Sequence, residues 1–247
     1  MTALSCFCLL VLFFSPVWAE DLSGEEILKR IDDNFLSSGS ISVSTMIITG
    51  RRGTRTITSR QWAQGTRKTF THFLSPPREK GTKMLKIEDA LWIYTPATDR
   101  LIKIAGHMLR QSLMGSDASY EDFMEDPELN KTYDVNISGT ETYLDRACYV
   151  LELTAKPGSK VAYHSRKFWV DKERFLALRE DLFAKSGKLL KKVTIQEVFR
   201  VDGRWYPKRF TFKDVLKDGD GTQIIIDNIE LDAEIPEYMF SKAALRR

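Results

Sequence analysis

The feature that most constrains the fold is a helical segment, residues 107–126, within a chain that otherwise alternates apolar and polar residues. On both sides of it, runs with a period of two are separated by Gly, Asp and Lys turn residues, which is typical of antiparallel strands. Inside it the period lengthens to that of a helix, three methionines fall within seventeen residues, and the charge becomes acidic. The pattern predicts an antiparallel sheet whose helical insert covers an apolar hollow.

The first twenty residues are typical of an export signal. An apolar run, Leu4–Phe14, is broken by Pro16, and Val17 and Ala19 are the small residues that precede a cleavage site. The run is too short to cross a bilayer of roughly 30 Å as a helix. No Lys or Arg precedes it, so an uncleaved anchor is the alternative to a cleaved signal. We expect residues 1–19 to be a signal peptide cleaved near Ala19, and residues 20–247 to form a single exported periplasmic domain.

The cysteine content indicates a fold held by its core. Cys6 and Cys8 lie inside the signal segment, so Cys148 is the one cysteine that we expect in the mature chain. A lone thiol forms no internal disulfide, and about 228 residues are enough for one β-domain. Cys148 lies in a strand pattern, where we interpret it as a small buried residue rather than a reactive thiol.

The net charge of +3 is unevenly distributed. Residues 41–110 carry thirteen basic and four acidic side chains, whereas residues 111–145 carry one basic and nine acidic. A basic sheet beside an acidic insert either steers the protein to anionic lipid or a charged partner, or provides two surfaces that attract each other within the fold. An exported chain without basic-aromatic groove motifs argues against nucleic acid as a partner.

The coarse element pattern begins with one helix and continues as strands. Residues Ser23 to Glu26 form a capping box ahead of an apolar helical face, which predicts an amphipathic helix of about four turns. From Ile41 onward the sequence predicts roughly a dozen strands linked by short turns, without the helical crossovers of a parallel sheet. Predicted strands are 41–50, 54–64, 66–75, 82–87, 90–95 and 100–104 before the insert, and 131–143, 146–156, 161–170 and 175–184 directly after it.

Several strands are apolar on both faces, among them Ile224–Ile226 and Phe168–Val170. A lone sheet with one face in water does not have this composition. Either two sheets pack together, or one sheet curls so that one face lines an apolar interior while helices and rim side chains cover part of the other.

No constellation of residues in the sequence predicts catalysis. The three histidines are isolated from metal-ligand partners, and no nucleophile elbow, phosphate loop or dinucleotide fingerprint occurs. The polar residues between Ser116 and Asp122 are better explained as helix caps than as a catalytic cluster. We therefore predict no metal, no cofactor and no enzymatic activity.

Several motifs resemble those of one known family. Met114-Gly-Ser-Asp-Ala-Ser-Tyr-Glu-Asp-Phe123 is similar to a Ser-Asp-Phe-Ser-Tyr-Glu-Asp-Leu segment, with Ala118 in place of the aromatic residue and Phe123 in place of the leucine. Supporting matches are Leu91–Pro96, Phe168–Lys172, Gly203–Pro207 and Ile235–Leu245. The chain thus resembles the outer-membrane lipoprotein-sorting (LolA-like) family, in its uncharacterised branch.

The resemblance implies a fold and a class of function. It implies an unclosed antiparallel half-barrel, mainly β, with an N-terminal helix and a helical lid insert over an apolar concave face. Relatives of this kind shield acyl chains of lipids or lipoproteins in the periplasm, others sense mislocalised lipoproteins, and at least one related fold hosts an enzyme. Fold alone therefore does not decide the function.

We expect a non-catalytic periplasmic carrier or chaperone that shields acyl chains of a lipid or lipoprotein on the way to the outer membrane. The alternative is an interaction or sensor module that docks on a transporter or signalling protein. Expected partners are acyl chains and an inner-membrane transporter, and the protein is expected to be a monomer. The methionines of the insert suit a surface that repacks around varied chains, or are ordinary core contacts. The predicted concave lining is Trp62, Phe70, Trp92, Tyr94, Trp169 and Phe210, and the predicted lid side is Met108, Leu109, Leu113, Met114, Tyr120 and Phe123.

Overall fold

The computed structural model describes residues 22–50, 53–125 and 128–247, so the predicted signal peptide lies outside the described residues. Within these ranges the chain forms one helix of three turns, α1 (Gly24–Phe35), and a shorter one, α2 (Tyr120–Met124). None of the helices in the described part of the chain has the length and apolar character needed to cross a membrane. The strands are β1 Ser40–Gly50, β2 Gly53–Gln64, β3 Lys68–Ser75, β4 Lys83–Ile87, β5 Ala90–Thr95, β6 Arg100–Ile104, β7 Tyr133–Tyr143, β8 Arg146–Ala155, β9 Ser165–Asp171, β10 Ala177–Phe183, β11 Leu189–Val201, β12 Arg204–Asp214 and β13 Thr222–Leu231.

All thirteen of these strands belong to one antiparallel sheet that is not closed. Their order is β6-β5-β4-β3-β2-β1-β13-β12-β11-β10-β9-β8-β7. Strands β6 and β7 are consecutive in the chain but lie at opposite edges of the sheet, so the segment between them passes from one edge to the other. The predicted mainly-β, unclosed half-barrel is confirmed, and the alternative of two packed sheets is wrong.

One face of the sheet, which we call the inner face, is covered at its β7–β10 end by α1. The capping box of Ser23 and Glu26 fixes the start of this helix, because each side chain accepts a hydrogen bond from the other residue's backbone N–H. Ile27 and Leu28 are fully or almost fully buried. They pack against inner-face side chains of four strands: Tyr133, Leu151, Leu153, Phe168, Val170 and Ala177.

The β1–β6 end of the inner face is covered by residues 106–125, which we call the lid. Its apolar side chains pack against strand residues Ile57, Phe73, Met84, Leu91, Ile93 and Ile104. The register shows that both ends belong to the same face, because the inner row continues through the pairs Glu180–Val193, Val193–Phe212 and Phe212–Thr222. The inner face therefore carries an apolar cluster at each end, and α1 and the lid cover these two clusters.

The opposite, outer face has two apolar clusters of its own. Near β2–β6 the C-terminal residues Phe240, Ala244 and Leu245 cover Phe70 and Leu85. Near β8–β11, Cys148 packs with Val150, Trp169, Leu176 and Leu178. Because both faces carry packed clusters, strands with apolar residues on both sides are accounted for. Cys148 is fully buried and free, as its strand position predicts.

The lid is less helical than the sequence predicts. It consists of two 3₁₀ turns, Gly106–Arg110 and Leu113–Gly115, followed by the five-residue α2. Met114 and Gly115 adopt left-handed backbone angles, with φ of 50° and 76°, which end any right-handed helix at this point. A new helix then begins at Ser119, whose side chain and Asp122 form a second capping box. The predicted capping role is confirmed for Ser119 and Asp122 of this polar stretch.

We predict that the C-terminal tail is part of the core. Leu245 is fully buried although it is the third residue from the C-terminus, so Leu245→Ala should lower the free energy of unfolding by about 2–5 kcal/mol. Thermal denaturation measures this as a fall in Tm of about 2–4 °C per kcal/mol for a chain of this size. Leu216→Ala is the control, because Leu216 is 59% exposed. Equal Tm values for the two variants would show that the tail does not pack on the sheet.

Candidate functional site

The middle of the lid is fastened to β12 and β13 by Asp117. Its carboxylate accepts a hydrogen bond from the Thr222 hydroxyl at 2.8 Å and another from the Asp214 backbone N–H at 3.0 Å. The Asp117 N–H in turn donates to the Thr222 hydroxyl oxygen at 2.9 Å. On the other side, the Arg55 guanidinium donates to the Met114 carbonyl. The lid is thus held from two strands of the sheet centre and one further strand, β2.

The end of the lid is fastened by charged groups. Asp122 accepts from the Lys191 ammonium and from the Tyr163 hydroxyl, and the Asp122 and Lys191 side chains are only 9% and 11% exposed. Burial, together with the nearby Asp122 charge, raises the pKa of Tyr163 well above its ordinary value, so this hydroxyl stays a donor. Three residues on, Glu125 accepts from Nη2 of Arg166. Both pairs tie the lid to the inner face.

A hollow of about 340 Å³ lies on the inner face between α1 and this end of the lid. Its floor is formed by β9–β12, and Phe35 at the C-terminal end of α1 is a lining residue that is 39% exposed. Two thirds of the lining side chains are apolar. They are Leu28, Ile31, Phe35, Leu129, Phe168, Ala177, Val193, Ile195, Pro207 and Phe210.

Charged side chains also line this hollow. Arg166 and Glu180 lie on adjacent strands of its floor, and Asp32, Asp122 and Glu125 lie on the elements above it. Burial lowers the pKa of Arg166 to about 10, against the opposing effect of Glu180 and Asp122. Burial raises the pKa of Glu180, and the Arg166 charge acts in the opposite direction. The hollow is therefore apolar with a small polar patch in its floor.

The six residues predicted for the lid side all pack against the inner face. Met108, Leu109, Met114, Tyr120 and Phe123 are partly buried there, and Leu113 is 9% exposed. They cover the β1–β6 end rather than lining the hollow, which lies at the β9–β12 end. Their role in lipid binding stays a prediction.

The predicted concave lining needs correction. Of its six residues Phe210 lies in the hollow, whereas Trp62, Phe70, Trp92 and Tyr94 pack on the outer face beneath the C-terminal tail. Trp169 also faces outward, in the cluster of Cys148. The register explains this, because the pairs Trp62–Phe70, Phe70–Leu85 and Leu85–Trp92 form one outer row. Because both faces of this sheet are packed, a large aromatic residue lies on either face.

Two residues of the hollow, Arg166 and Glu180, were not predicted from the sequence. A signal for them exists in the strand period. Arg166 alternates in phase with Phe168 and Val170, which are inner-face core residues, so its own side chain points inward as well. Glu180 pairs with Phe168 across the strands and is inward-facing for the same reason. A charged residue that alternates with the same period as the buried apolar residues of its strand points to the same face, and such a residue is a candidate for the site.

Within the described residues there is no group of three or more His, Cys, Asp or Glu side chains that could hold a metal ion. The charged residues of the hollow also differ from a metal site, because Asp122 and Glu125 are each paired with a cation. What this arrangement can do is surround an apolar ligand and contact one polar group on it.

An unclosed antiparallel sheet with an apolar inner hollow, covered by a helix and a lid, defines the LolA-like half-barrel class. The model of a protein family that is described as “Uncharacterized protein” matches residues 65–247. Because this is most of the chain, the protein belongs to that family.

Solved structures support the same class. A DUF1329 family protein from Desulfovibrio piger has a TM-score of 0.82 at 27% identity, over 90% of this chain and 97% of that one. A domain from Vibrio parahaemolyticus, described as an outer membrane lipoprotein-sorting protein, has a TM-score of 0.79 at 23% identity, over 91% and 98%. A LolA superfamily protein from Nitrosomonas europaea has a TM-score of 0.75 at 21% identity, over 90% and 99%. A comparison with curated proteins gives no match.

We predict that the Asp122–Lys191 pair keeps the lid closed. Asp122→Asn leaves the Lys191 ammonium buried without its counter-charge, which should cost about 3–5 kcal/mol. Hydrogen exchange should then become faster at lid amides, such as Ser119 and Tyr120, than at β8 amides. Glu121→Gln is the matched control, because Glu121 lies in the same first turn of α2 and does not contact Lys191 in the described structure. Unchanged exchange at the lid in Asp122→Asn would contradict the role of this pair.

Proposed function

We propose that this protein is a periplasmic carrier that buries an acyl chain of a lipid or lipoprotein in the hollow between α1 and the lid. The proposal rests on the hollow itself, a mostly apolar space of about 340 Å³ on the inner face. The descriptions of the Vibrio and Nitrosomonas structures, one of them a lipoprotein-sorting domain, support the periplasm as the place and lipid as the cargo.

The energetics of chain burial fit a carrier. Each CH₂ group transferred from water contributes about 0.8 kcal/mol, so a chain of a dozen carbons contributes on the order of 10 kcal/mol before the costs of ordering it. The hollow supplies dispersion contacts from ten apolar side chains without any bond chemistry. The same apolar surface has to be covered when it is empty, because exposed patches promote aggregation. The lid and α1 provide this cover.

A loading site needs exposed apolar residues next to the hollow. Phe35 lines the hollow and is 39% exposed, and the next residue, Leu36, is 45% exposed at the end of α1. A longer chain would continue past the hollow by moving the lid, whose Met108, Met114 and Phe123 are partly buried and would then contact it. Unbranched methionine side chains adapt to such changes in contact.

A second candidate function is docking on an envelope transporter or signalling protein through the outer face. Cationic side chains lie over aromatic rings there. Lys242 and Lys103 lie 4.6 and 5.9 Å from the Trp92 ring, and Arg246 lies 5.7 Å from the Tyr94 ring. Binding through such a surface weakens as ionic strength rises, whereas acyl burial responds little to salt. A carrier also has to be loaded and unloaded, so the two functions are compatible.

We predict that filling the hollow abolishes chain binding. Ala177 lines it and is 9% exposed, so Ala177→Phe should lower the affinity for a fluorescent fatty acid at least tenfold because the ring occupies the space of the chain. Ala147→Phe, at an exposed position of β8, is the control. Binding by the unchanged protein should vary little between about 0.1 and 1 M salt.

Native mass spectrometry with lipid extraction, on protein purified from its own periplasm, identifies the cargo class. A co-purifying acyl species that is absent from Ala177→Phe supports the carrier. If the purified protein is empty, and Ala177→Phe and the unchanged protein take up fatty acid equally, the proposal fails and the docking function is favoured.

A further inference from the structure

We propose that the hollow is selective for a single-chain amphiphile with a carboxylate head, and that Arg166 and Glu180 hold this carboxylate inside it. This inference rests on the proposed function and gives the chemical class of its ligand. The acyl chain lies along the apolar lining, and the head reaches the polar patch of the floor rather than remaining at the surface.

One donor of the Arg166 side chain has no hydrogen-bond partner among the described residues. It is 4% exposed and lines the hollow. Its Nη2 donates to Glu125, and its guanidinium lies 4.9 and 5.5 Å from the rings of Tyr133 and Tyr163. Its Nε is buried and has no hydrogen-bond partner among the described residues. A buried N–H without an acceptor is costly, and a guanidinium recognises carboxylates with paired donors. A ligand carboxylate is the acceptor that this group lacks.

Glu180 provides the second contact. It lies on β10, next to β9 and Arg166, and its cross-strand neighbours Phe168 and Val193 are apolar. Burial raises its pKa, which favours the protonated form. A protonated carboxyl donates an O–H to a ligand carboxylate, whereas an ionised one would repel it. Arg166 and Glu180 therefore both line the hollow from adjacent strands, and the proposal takes Glu180 to contact the head in its protonated form.

The other acidic side chains around the hollow are Asp32, Asp122 and Glu125. Asp122 is paired with Lys191, and Glu125 is paired with Arg166 itself. A ligand carboxylate competes with Glu125 for the guanidinium, so removal of the Glu125 charge should strengthen binding. A net-acidic lining could instead select an amine, and this is the outcome that the ligand series below distinguishes.

The size of the hollow limits the number of chains. About 340 Å³ is near the lower end of the roughly 300–1,000 Å³ found for small-molecule pockets. One chain fits beside Leu28, Ile31, Val193 and Ile195, whereas two or three chains exceed this volume. A monocarboxylate with one chain is accordingly the ligand that satisfies both the volume and the unpartnered donor.

The first experiment compares ligands of one chain length that differ at the head. Binding of the fatty acid, its methyl ester, the alcohol and the amine to the exported chain is measured by displacement of a fluorescent fatty acid. The acid should bind at least tenfold more tightly than the ester and the alcohol, because only the acid supplies a charged acceptor. Equal or tighter binding of the amine would overturn the assignment of the head. Tighter binding of a two-chain phospholipid would overturn the single-chain limit.

The second experiment tests the two residues. Arg166→Gln should weaken binding of the acid about 10- to 100-fold, the range for a lost charged hydrogen bond, and should leave the ester within about twofold. Glu180→Ala should weaken the acid as well, and Glu180→Gln, which keeps an N–H donor, should bind it better than Glu180→Ala does. Lys167→Gln is the control, since Lys167 is the next residue of β9 and faces the other side.

If Arg166→Gln does not fold, the variant Glu125→Gln tests the same contact. It leaves Arg166 in place and removes its competing carboxylate, so the affinity for the acid should rise while that for the ester does not. If the acid and the ester bind equally and none of these variants separates them, the carboxylate site is wrong and the carrier function remains supported. If no ligand of the series binds, both proposals fail.

Discussion

The structure depends on how one connection is held. Strands β6 and β7 follow each other in the chain but form opposite edges of the sheet, and the lid between them is fixed by buried polar contacts in addition to apolar packing. Asp117 binds Thr222 at the sheet centre, and Asp122 and Glu125 bind Lys191 and Arg166 further along. A buried charge that is left without its partner destabilises the fold by about 3–5 kcal/mol. These pairs therefore specify one position of the lid.

The two covers of the inner face are held differently. Helix α1 is held by apolar burial of Ile27 and Leu28, whereas the end of the lid is held by ion pairs around the hollow. A charged group of a ligand can replace one member of an ion pair, but it cannot replace an apolar contact. A ligand that presents a charge to Arg166 therefore acts on the lid and leaves α1 in place. The hollow and its cover are coupled through the same guanidinium.

Much of the fold could be predicted from the sequence, because a period of two and turn residues are local signals. The capping box at Ser23, the strands, and Cys148 as a buried residue all follow from local pattern and chemistry. The lining of the hollow could not be predicted in the same way. A period of two separates two faces but does not say which face is inner, and here Trp62 and Trp92 proved to pack under a C-terminal tail. The predicted length of the helix in the lid was wrong, because the helix is interrupted at Met114. Its left-handed backbone angle is unusual for methionine, and the Arg55 side chain of β2 donates a hydrogen bond to its carbonyl.

The order of the strands has a consequence for folding. Every pair of neighbours in the sheet is consecutive in the chain except β1 and β13, where Ser40 pairs with Leu231. The sheet thus consists of two local meanders, β1–β6 and β7–β13, and we expect the pairing of this single non-local seam to be the slower step of folding. A circular permutant with joined termini, opened within the lid, would turn the sheet into one uninterrupted meander. In that chain the lid would become two free ends, and the half-barrel would form without having to close a loop across its own hollow.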